Sequence, residues 1–508
     1  MKGEILRRMS METIKAEGVR SENPVNKDLE NEEGDDYLVK TIGPFGLWQA
    51  VVSATVTLTR AIALWNMMSI SFLAPVVEFI CVEFADNVTT DAINSTCYDD
   101  CLQYKYFSVI GITLIEDFGL ICENAWMASF TQSSLMFGLL VGVSVFGWIS
   151  DRFGRRTAML QSTFLNGVFM IALPYAPNYI IFTVMRFVIG VATGGSLLIC
   201  VVLVMEIIGK QYREVAGACC LIPDGLAEAS LAGFAYFTST WQGYTLSYGV
   251  ATCFIFLLVL FVPESPRWLV SHGKVDEAIK VITRAANRNN LSTSHIKVEI
   301  TKAVDDLKLK NSEVVKMSYL DFFRSKALFI LTLTVLLMWF ALGMCYYGIY
   351  QYVTIIGVDP YISVVVLGLI EIPFCPMGII LNRTFGRRKS TIGITITIAV
   401  TMLILVFVPK GHWPGTMLGV LAFICSNICF SIAYIYMSEL FPTPLRNMSF
   451  AFSSGGARMG AMIAPFIANL SPRWLPSLIF CVFPIAAALC CFTLPETKGQ
   501  NLRDSIKK

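Results

Sequence analysis

The sequence predicts an all-α membrane protein with twelve transmembrane helices arranged in two halves of six. Three observations support this prediction: the composition, the spacing of the apolar segments and an internal duplication. Of the 508 residues, 55% are hydrophobic and only 15% are charged, which is too apolar a balance for a soluble domain of this length. The apolar segments are long enough to cross a bilayer as helices, whereas a membrane β-barrel would show shorter segments of alternating polarity.

The apolar segments fall into two groups of six, which we number spans one to twelve. The first group lies at about residues 45–74, 127–149, 157–176, 180–207, 214–238 and 243–262, and the second at about 327–352, 360–381, 391–408, 413–436, 448–470 and 474–494. We therefore expect two halves, a linker and two terminal segments. Their limits are 1–44 for the N-terminal segment, 45–262 for the first half with an outer loop over 75–126, 263–326 for the linker, 327–494 for the second half and 495–508 for the tail.

The charges of the loops predict the orientation of the chain. Residues 1–40 are polar and mixed in charge, so we expect no cleavable signal peptide. Between Val76 and Ala125 there are nine acidic residues and one basic residue, whereas the short connections "DRFGRR", "GKQYR" and "NRTFGRRK" are rich in Lys and Arg. Positively charged loops remain on the cytoplasmic side. Both termini are therefore expected to be cytoplasmic, and the plasma membrane is the expected location.

The first outer loop has features of an extracellular segment. It carries four of the 15 cysteines and two N-glycosylation sequons, namely Cys81, Cys97, Cys101, Cys122, Asn87 and Asn94. We expect disulfide bonds and glycans there. Four cysteines can pair in three ways, and the sequence leaves that choice open.

The two halves share local patterns at a nearly constant separation. "MEIIGKQYREVAG" and "MSELFPTPLRNMS" align 233 residues apart, "GWISDRFGRRT" and "GIILNRTFGRRKS" 231 apart, and "PESPRW" and "PETKGQ" 232 apart. Three matches in register indicate a duplication. Two repeated halves around a central site are typical of transporters that move one half against the other. Between the halves, the segment "GKVDEAIKVITRAANR" predicts short amphipathic helices that brace both of them.

These motifs identify a resemblance over about residues 35–500. "GWISDRFGRR" resembles the signature loop of the major facilitator superfamily. "PESPRWL", "SELFPTPLRN", "MCYYGIY" and "DDYLVKTIGPFGLWQ" resemble the organic cation, anion and zwitterion transporter family within it. The resemblance implies the major facilitator fold. The outer loop, with four cysteines, is shorter than is usual in that family, and the second signature loop has Asn382 or Arg383 where the first has Asp151.

Charged residues at the span ends are candidate gate residues. The set is Asp151, Arg155, Arg156, Glu206, Arg213, Glu439 and Arg446. Opposite charges at these positions would hold the cytoplasmic gate closed in one conformation and separate in the other. The alternative is that they only follow the positive-inside rule and contact lipid headgroups.

Ionisable residues inside the spans are the stronger indication of function, because each costs about 2.5–3.5 kcal/mol to insert and so needs a partner or a water-filled cavity. Arg60, Asp224 and Glu228 form one group, in which Arg60 could neutralise either carboxylate. Glu371 in span eight and Arg458 in span eleven form another. The alternative there is a structural ion pair between the two.

The resemblance implies that Arg458 sorts substrates, because an arginine at this place is typical of the anion and zwitterion transporters of the family. A guanidinium can hold a carboxylate or sulfate with two parallel hydrogen bonds. Glu371 matches a glutamate typical of the cation transporters. Aromatic faces attract amines. The further candidate substrate contacts are Trp339, Tyr346 and Tyr350 on one face of span seven and Asn66 in span one.

We therefore expect a transporter of small organic anions or zwitterions of the carnitine, betaine or amino-acid-derivative kind. An organic cation transporter and a non-transporting membrane protein of the same fold are the alternatives. The sequence contains no P-loop, no metal-ligand spacing and no nucleophile–base arrangement, so we expect no enzyme, no cofactor and no bound metal. The expected partners are the substrate, the lipid bilayer and either a coupling ion (sodium or proton) or an exchanged substrate, with no nucleic acid.

Overall fold

The computed structural model describes residues 36–84, 95–108, 110–311, 326–374, 376–409, 411–441, 445–472 and 474–499. This part of the chain is 79% helical. The sequons at Asn87 and Asn94 lie outside the described residues, so their glycosylation stays a prediction.

The first half is built from six long helices, with short helices at their ends. Spans one to six are Leu47–Met68, Ala125–Phe153, Arg155–Ala172, Tyr179–Ile207, Ile222–Tyr236 and Trp241–Val259. The short helices are Tyr37–Ile42, Ile70–Leu73, Leu114–Asp117 and Arg213–Cys219, and three single 3₁₀ turns are Cys122–Asn124, Leu173–Tyr175 and Lys210–Tyr212.

The second half repeats this arrangement after a linker whose described residues form three helices. The linker helices are Pro266–Ser271, Val275–Arg288 and Ile296–Asn311. Spans seven to twelve are Lys326–Ile356, the pair Pro360–Phe374 and Met377–Phe385, Arg387–Leu405, Trp413–Leu440, Arg446–Ala468 and Trp474–Thr493.

The membrane-crossing character of the bundle follows from the length and apolarity of its helices. Within the described residues, ten helices are long and apolar enough to cross a membrane, and the bent pair of span eight makes eleven. Arg446–Ala468 has 23 residues and is long enough, but its serines, glycines and arginines make it less apolar than the others. The prediction of an all-α membrane protein is confirmed.

The described contacts of the linker helices lie on the first half, and the bracing of both halves stays a prediction. Asn289 accepts a hydrogen bond from the backbone N–H of Trp48 at 2.9 Å and donates one to the side chain of Gln49 at 2.7 Å. Arg267 donates to the carbonyl of Glu206 at 2.9 Å. These partners all belong to the first half, so these contacts hold the linker helices to that half.

A disulfide-bonded hairpin follows span one. Its strands, β1 (Glu78–Phe84) and β2 (Cys101–Phe107), are antiparallel. Of the three possible pairings, the structure contains Cys81–Cys101 and Cys97–Cys122. We call the end of the bundle that carries this hairpin the disulfide end, and the opposite end, with the linker helices, the linker end.

The two halves meet through spans two and eleven and through spans five and eight. Glycines allow the second contact, because a Cβ on Gly225 would meet the carbonyl oxygen of Gly368 and one on Gly368 would lie 2.6 Å from the nitrogen of Ala229. Small residues let membrane helices approach closely in this way. The interface between spans five and eight therefore consists largely of backbone against backbone.

The repeated motifs build the same joint in each half. Glu264, which follows span six, accepts hydrogen bonds from the backbone N–H groups of Arg155 and Arg156 at 2.7 and 3.0 Å. A carboxylate at a helix N-terminus satisfies free N–H donors and complements the helix dipole. Gly154 precedes this helix with φ at 104°, and a Cβ there would collide with the Glu264 carboxylate. The glycine of "FGRR" and the glutamate of "PES" are thus parts of one contact.

The second half repeats the joint with Glu496. This carboxylate accepts hydrogen bonds from the backbone N–H groups of Arg387 and Arg388 at 3.0 and 3.2 Å, beside Gly386 with φ at 91°. Burial alone would raise the pKa of Glu496. The N–H groups of Lys498, Arg387, Thr497 and Arg388 outweigh this effect and hold the pKa below its usual range.

We expect Glu496→Gln to lower the free energy of unfolding by about 1 kcal/mol, the typical contribution of a helix cap. Because the folded-state pKa is depressed, the stabilising effect should be full above the unfolded-state pKa of about 4.3 and should disappear as the pH falls through the folded-state value. Thermal unfolding of the purified protein in detergent at several pH values measures this. Glu264→Gln is the matched variant of the other half. A wild-type advantage over Glu496→Gln that persists unchanged in acid would contradict this account.

Candidate functional site

A cavity of about 500 Å³ lies between the two halves. It reaches from the middle of the bundle to Met205 and Arg213 at the linker end. Five of its lining residues are charged, and several others are aromatic or amidic. The lining side chains used below are Arg60, Arg213, Asp224, Tyr346, Tyr347, Glu371, Asn427, Phe430, Tyr434 and Arg458.

Direct contacts between the halves close the cavity at the disulfide end. Ser129 of span two donates a hydrogen bond to the carbonyl of Pro465 in span eleven at 3.1 Å, and Asn469 donates to Ser129 at 2.9 Å. One turn further along span two, Ser133 donates to the carbonyl of Met462 at 2.5 Å. The cavity is thus closed at one end of the bundle and reaches the other, which is one of the two states that alternating access requires.

Arg458 lies on span eleven at the cavity wall. One terminal nitrogen donates to the hydroxyl of Tyr347, and the guanidinium lies 5.7 Å from the centre of the Tyr347 ring. Its Nε is buried without a hydrogen-bond partner in the described part of the chain. The expected alternative, an ion pair with Glu371, is wrong, because both side chains are described and each has other partners. A neutral phenol does not compensate the positive charge of Arg458, and no carboxylate of the described residues forms an ion pair with it.

Glu371 lies across the cavity in span eight. One carboxylate oxygen accepts hydrogen bonds from the hydroxyl of Tyr346 at 2.8 Å and from the side-chain amide of Asn427 at 2.6 Å. The helix bends by 45° just after this point, at the "PFCP" segment, where two prolines remove backbone N–H donors. The second oxygen of Glu371 remains available to a ligand.

Arg60 and Asp224 form a buried ion pair between spans one and five. The Nε of Arg60 donates to Asp224 at 2.9 Å, and a terminal nitrogen donates to the other carboxylate oxygen. Both residues are less than a tenth exposed. Of the two carboxylates that the sequence left open as partners of Arg60, the structure selects Asp224 and not Glu228.

Three of the expected substrate contacts lie away from the cavity wall. Trp339 is buried against Phe430 and Tyr434, with ring centres 5.7 and 4.7 Å apart. Tyr350 is 1% exposed and packs on Phe423. Tyr346 is the member of this face of span seven that reaches the cavity.

Asn66 is the third residue away from the wall. Its amide donates to Thr193 at 3.0 Å and to Asn166 at 3.3 Å. This polar cluster lies within the first half, where the fully buried Arg186 donates to Gln132 at 2.7 Å. Hydrogen bonding within the half explains the polar side chain of Asn66 without a ligand.

The sequence analysis did not select two residues that lie at the cavity wall. Tyr347 contacts Arg458, and Asn427 contacts Glu371. Tyr347 follows Tyr346 in the quoted motif. The candidate contacts of span seven were chosen from one helix face, and Tyr347 is not on that face because adjacent residues of a helix point about 100° apart. Asn427 lies in an apolar span with no pattern around it, so only the fold identifies it.

The expected gate residues form ion pairs within their own halves. Arg155 binds Glu206 at 2.9 Å and Asp151 at 2.8 Å. In the second half, Arg387, which the sequence analysis did not select, binds Glu439 at 2.7 Å.

The other expected gate residues have separate positions. Arg156 donates to the carbonyls of Val262 and Leu260 at the end of span six, and Arg213 lines the cavity at the linker end. Span eleven begins at Arg446, whose side chain lies outside the described residues.

Comparisons with known proteins agree with this architecture. The chain matches the family described as "Sugar (and other) transporter" over residues 52–505. The structure of the xylose transporter XylE from E. coli in an inward open conformation superposes with a TM-score of 0.64 over 89% of this chain and 98% of that one, at 17% identity. The fold is that of a major facilitator.

Relatives in sequence identify the family within the major facilitator superfamily. Mouse solute carrier family 22 member 3 is 34% identical over 403 residues, which cover 78% of this chain and 71% of the relative. The organic cation/carnitine transporter 4 of Arabidopsis thaliana is 30% identical over 495 residues, which cover 95% and 93%. The chain belongs to the organic cation, anion and zwitterion transporter family of the major facilitator superfamily.

We expect Asp224→Asn to destabilise the protein strongly, because it leaves the buried Arg60 without a negative partner. Breaking a buried pair in this way costs about 3–5 kcal/mol, whereas replacing both partners by apolar residues is often nearly neutral. The unfolding temperature of the purified protein should therefore fall in Asp224→Asn and largely recover in Arg60→Met with Asp224→Leu. An Asp224→Asn variant as stable as the wild type would show that the pair is not structural.

Proposed function

We propose that the protein carries small organic ions across a membrane by alternating access. Its substrates are organic anions or zwitterions of the carnitine, betaine or amino-acid-derivative kind. The observation that carries this proposal is the environment of Arg458, a cation at the cavity wall whose polar contact is the neutral hydroxyl of Tyr347. An anionic group supplied by a substrate would complete its coordination.

Glu371 extends the proposal from anions to zwitterions. Its carboxylate and the ring of Tyr346 offer a site for an amine, by charge and by cation–π attraction of about 0.5–2 kcal/mol. Arg458 would hold the carboxylate of the same molecule. The name of the Arabidopsis relative, an organic cation/carnitine transporter, supports a substrate with both charges.

An organic cation transporter is the second candidate. Glu371 favours it, because one oxygen of this carboxylate accepts two hydrogen bonds while the other is left for a cation. In that case Arg458 would have to be compensated by something other than the substrate. The two candidates therefore differ in what binds Arg458.

The distribution of ion pairs supports alternating access with a gate at the linker end. Arg155–Glu206 and Arg387–Glu439 are each contained in one half, so the halves can separate there without breaking them. In the opposite state these charges and Asp151 would face each other across the closed gate. We place the linker end and both termini in the cytoplasm, from the basic loops, and the protein in the plasma membrane. Transport, and no enzymatic reaction, is the proposed activity.

We expect Arg458→Ala to weaken anion and zwitterion uptake by roughly ten- to a hundredfold, because a charge-assisted contact of about 1.5–3 kcal/mol is lost. Arg458→Lys should retain part of the anion uptake, and Arg458→Asp should shift the preference towards cations. The measurement is uptake of labelled carnitine, p-aminohippurate and tetraethylammonium into cells, corrected for surface expression.

The double variant Arg458→Ala with Glu371→Gln separates substrate binding from a structural role. We expect it to reach the surface and to remain inactive towards anions, because nothing replaces the guanidinium. Wild-type uptake by this variant would contradict the substrate assignment. Uptake of none of the three compounds by the wild type would favour a non-transporting protein.

We expect Asp151→Ala to reduce turnover without changing surface expression. The side chain of Asp151 is 78% exposed and pairs with Arg155, and an exposed pair of this kind contributes at most about 1 kcal/mol. A loss of transport would therefore arise in the state in which the gate is closed. Asp276→Ala, which removes an exposed acidic residue of the linker, is the control. Equal turnover of Asp151→Ala and wild type would argue against the gate.

A further inference from the structure

Glu228 is a buried ionisable residue that the site described above does not use. Its side chain is 0% exposed, and both carboxylate oxygens lie buried without a hydrogen-bond partner in the described part of the chain. A carboxylate in such a place would lose its hydration without gaining hydrogen bonds. The free-energy cost of burying it far exceeds the cost of burying the neutral acid. The surroundings therefore favour a protonated side chain.

The position of Glu228 connects it to the movement of the halves. It lies one helical turn from Asp224, about 6 Å nearer the disulfide end, just beyond the cavity that Asp224 lines. A Cβ on Gly368 of span eight would lie 3.1 Å from the Cβ of Glu228. The side chain is thus sealed between spans five and eight, which belong to different halves. If the disulfide end opens, this contact is among those that separate.

The ionisable neighbours of Glu228 come from several elements. Glu371 of span eight and Asp224 of its own helix act on it electrostatically, and Tyr346 and Tyr350 of span seven lie near it. Span one contributes Arg60, whose charge is bound to Asp224.

The tyrosines of span six, Tyr244 and Tyr248, lie near Arg186 instead. The charged group that acts most strongly on Glu228 is therefore Glu371, a second carboxylate. Two negative charges in one buried region repel each other, which adds to the preference for a proton on one of them.

We infer that Glu228 binds a proton that crosses the membrane together with the substrate. In the conformation described here the carboxyl is sealed between the halves and holds the proton. When spans five and eight separate at the disulfide end, it meets the solution on that side. The proton binds to or leaves one carboxylate oxygen, with no other bond made or broken. Its path to the linker end leads past Glu371, which lines the cavity.

The charges of the two carrier forms favour movement of the proton and the substrate in the same direction. A loaded carrier has an anionic group on Arg458 and a proton on Glu228, so both charges are neutralised. The carrier that returns empty has released the proton as well, and its Arg458 cation and Glu228 carboxylate sum to the same net charge. Such a cycle moves one proton with each anionic group. A metal cation would fit this site less well, because hard cations require several oxygen ligands and the described residues form no group of three or more metal-binding side chains here.

Infrared spectroscopy of the purified full-length protein in lipid tests the proton directly. At pH 7 the wild type should show the carbonyl stretch of a buried, protonated carboxylic acid. Glu228→Gln should lack this band, and Glu371→Gln, the control for the neighbouring carboxyl, should retain it. A band that persists in Glu228→Gln would overturn the assignment whatever the protein transports.

The coupling rests on the proposed function and is tested in phosphatidylcholine–phosphatidylethanolamine vesicles with the membrane potential set to zero. With labelled carnitine and a pH difference of one unit, we expect up to tenfold accumulation in the alkaline compartment, since one pH unit corresponds to about 1.4 kcal/mol per proton. Glu228→Gln should abolish the accumulation but retain exchange of carnitine at equal concentrations.

The outcomes separate the two proposals. Accumulation in the acidic compartment, no response of the wild type to the pH difference, or full accumulation by Glu228→Gln would each overturn proton cotransport. Absence of carnitine exchange in the wild type would count against the proposed substrate class instead. In that case the infrared band alone supports or overturns the proton site.

Discussion

A charge inside an apolar bundle must be compensated, and this requirement organises the centre of the molecule. Arg60 meets it with the carboxylate of Asp224. Arg186 meets part of it with neutral oxygens, among them the side chain of Gln132. Glu371 accepts two hydrogen bonds on one oxygen. Arg458 and Glu228 are compensated least, and they lie at places where a substrate or a proton can supply what is missing. Incomplete compensation is therefore what distinguishes the proposed site from the structural charges around it.

The duplication provides the mechanical frame for that site. In each half, a glutamate after the sixth span caps the N-terminus of the third span. An arginine of the third span binds a glutamate at the end of the fourth. These contacts remain inside each half, so each half can move as a unit. The contacts between the halves are of another kind: hydrogen bonds from Ser129 and Ser133 near the disulfide end and backbone packing between Gly225 and Gly368. The described residues form no ion pair between the halves, and an interface of hydrogen bonds and backbone packing can open at a modest cost, as alternating access requires.

The sequence predicted the fold well, because apolar length and repeated motifs are local properties. It also indicated a charged partner for Arg60, since a buried cation needs one. It failed for side-chain partners that different helices of the second half bring together. The alternative of an ion pair between Arg458 and Glu371 followed from the attraction of opposite charges, but Tyr347 contacts Arg458, and Tyr346 and Asn427 contact Glu371. Helical periodicity placed Trp339 and Tyr350 with Tyr346 on one face, yet packing against neighbouring aromatic rings buries the first two.

The account depends most on what Arg458 binds. An experimental structure of the full chain with carnitine bound, at a resolution that shows side chains, tests this directly. We predict a carboxylate oxygen of carnitine within hydrogen-bond distance of the Arg458 guanidinium, about 2.7–3.2 Å, and its trimethylammonium group beside Glu371 and Tyr346. A structure in which Arg458 instead binds Glu371 or another protein carboxylate, with the ligand elsewhere, would contradict the account.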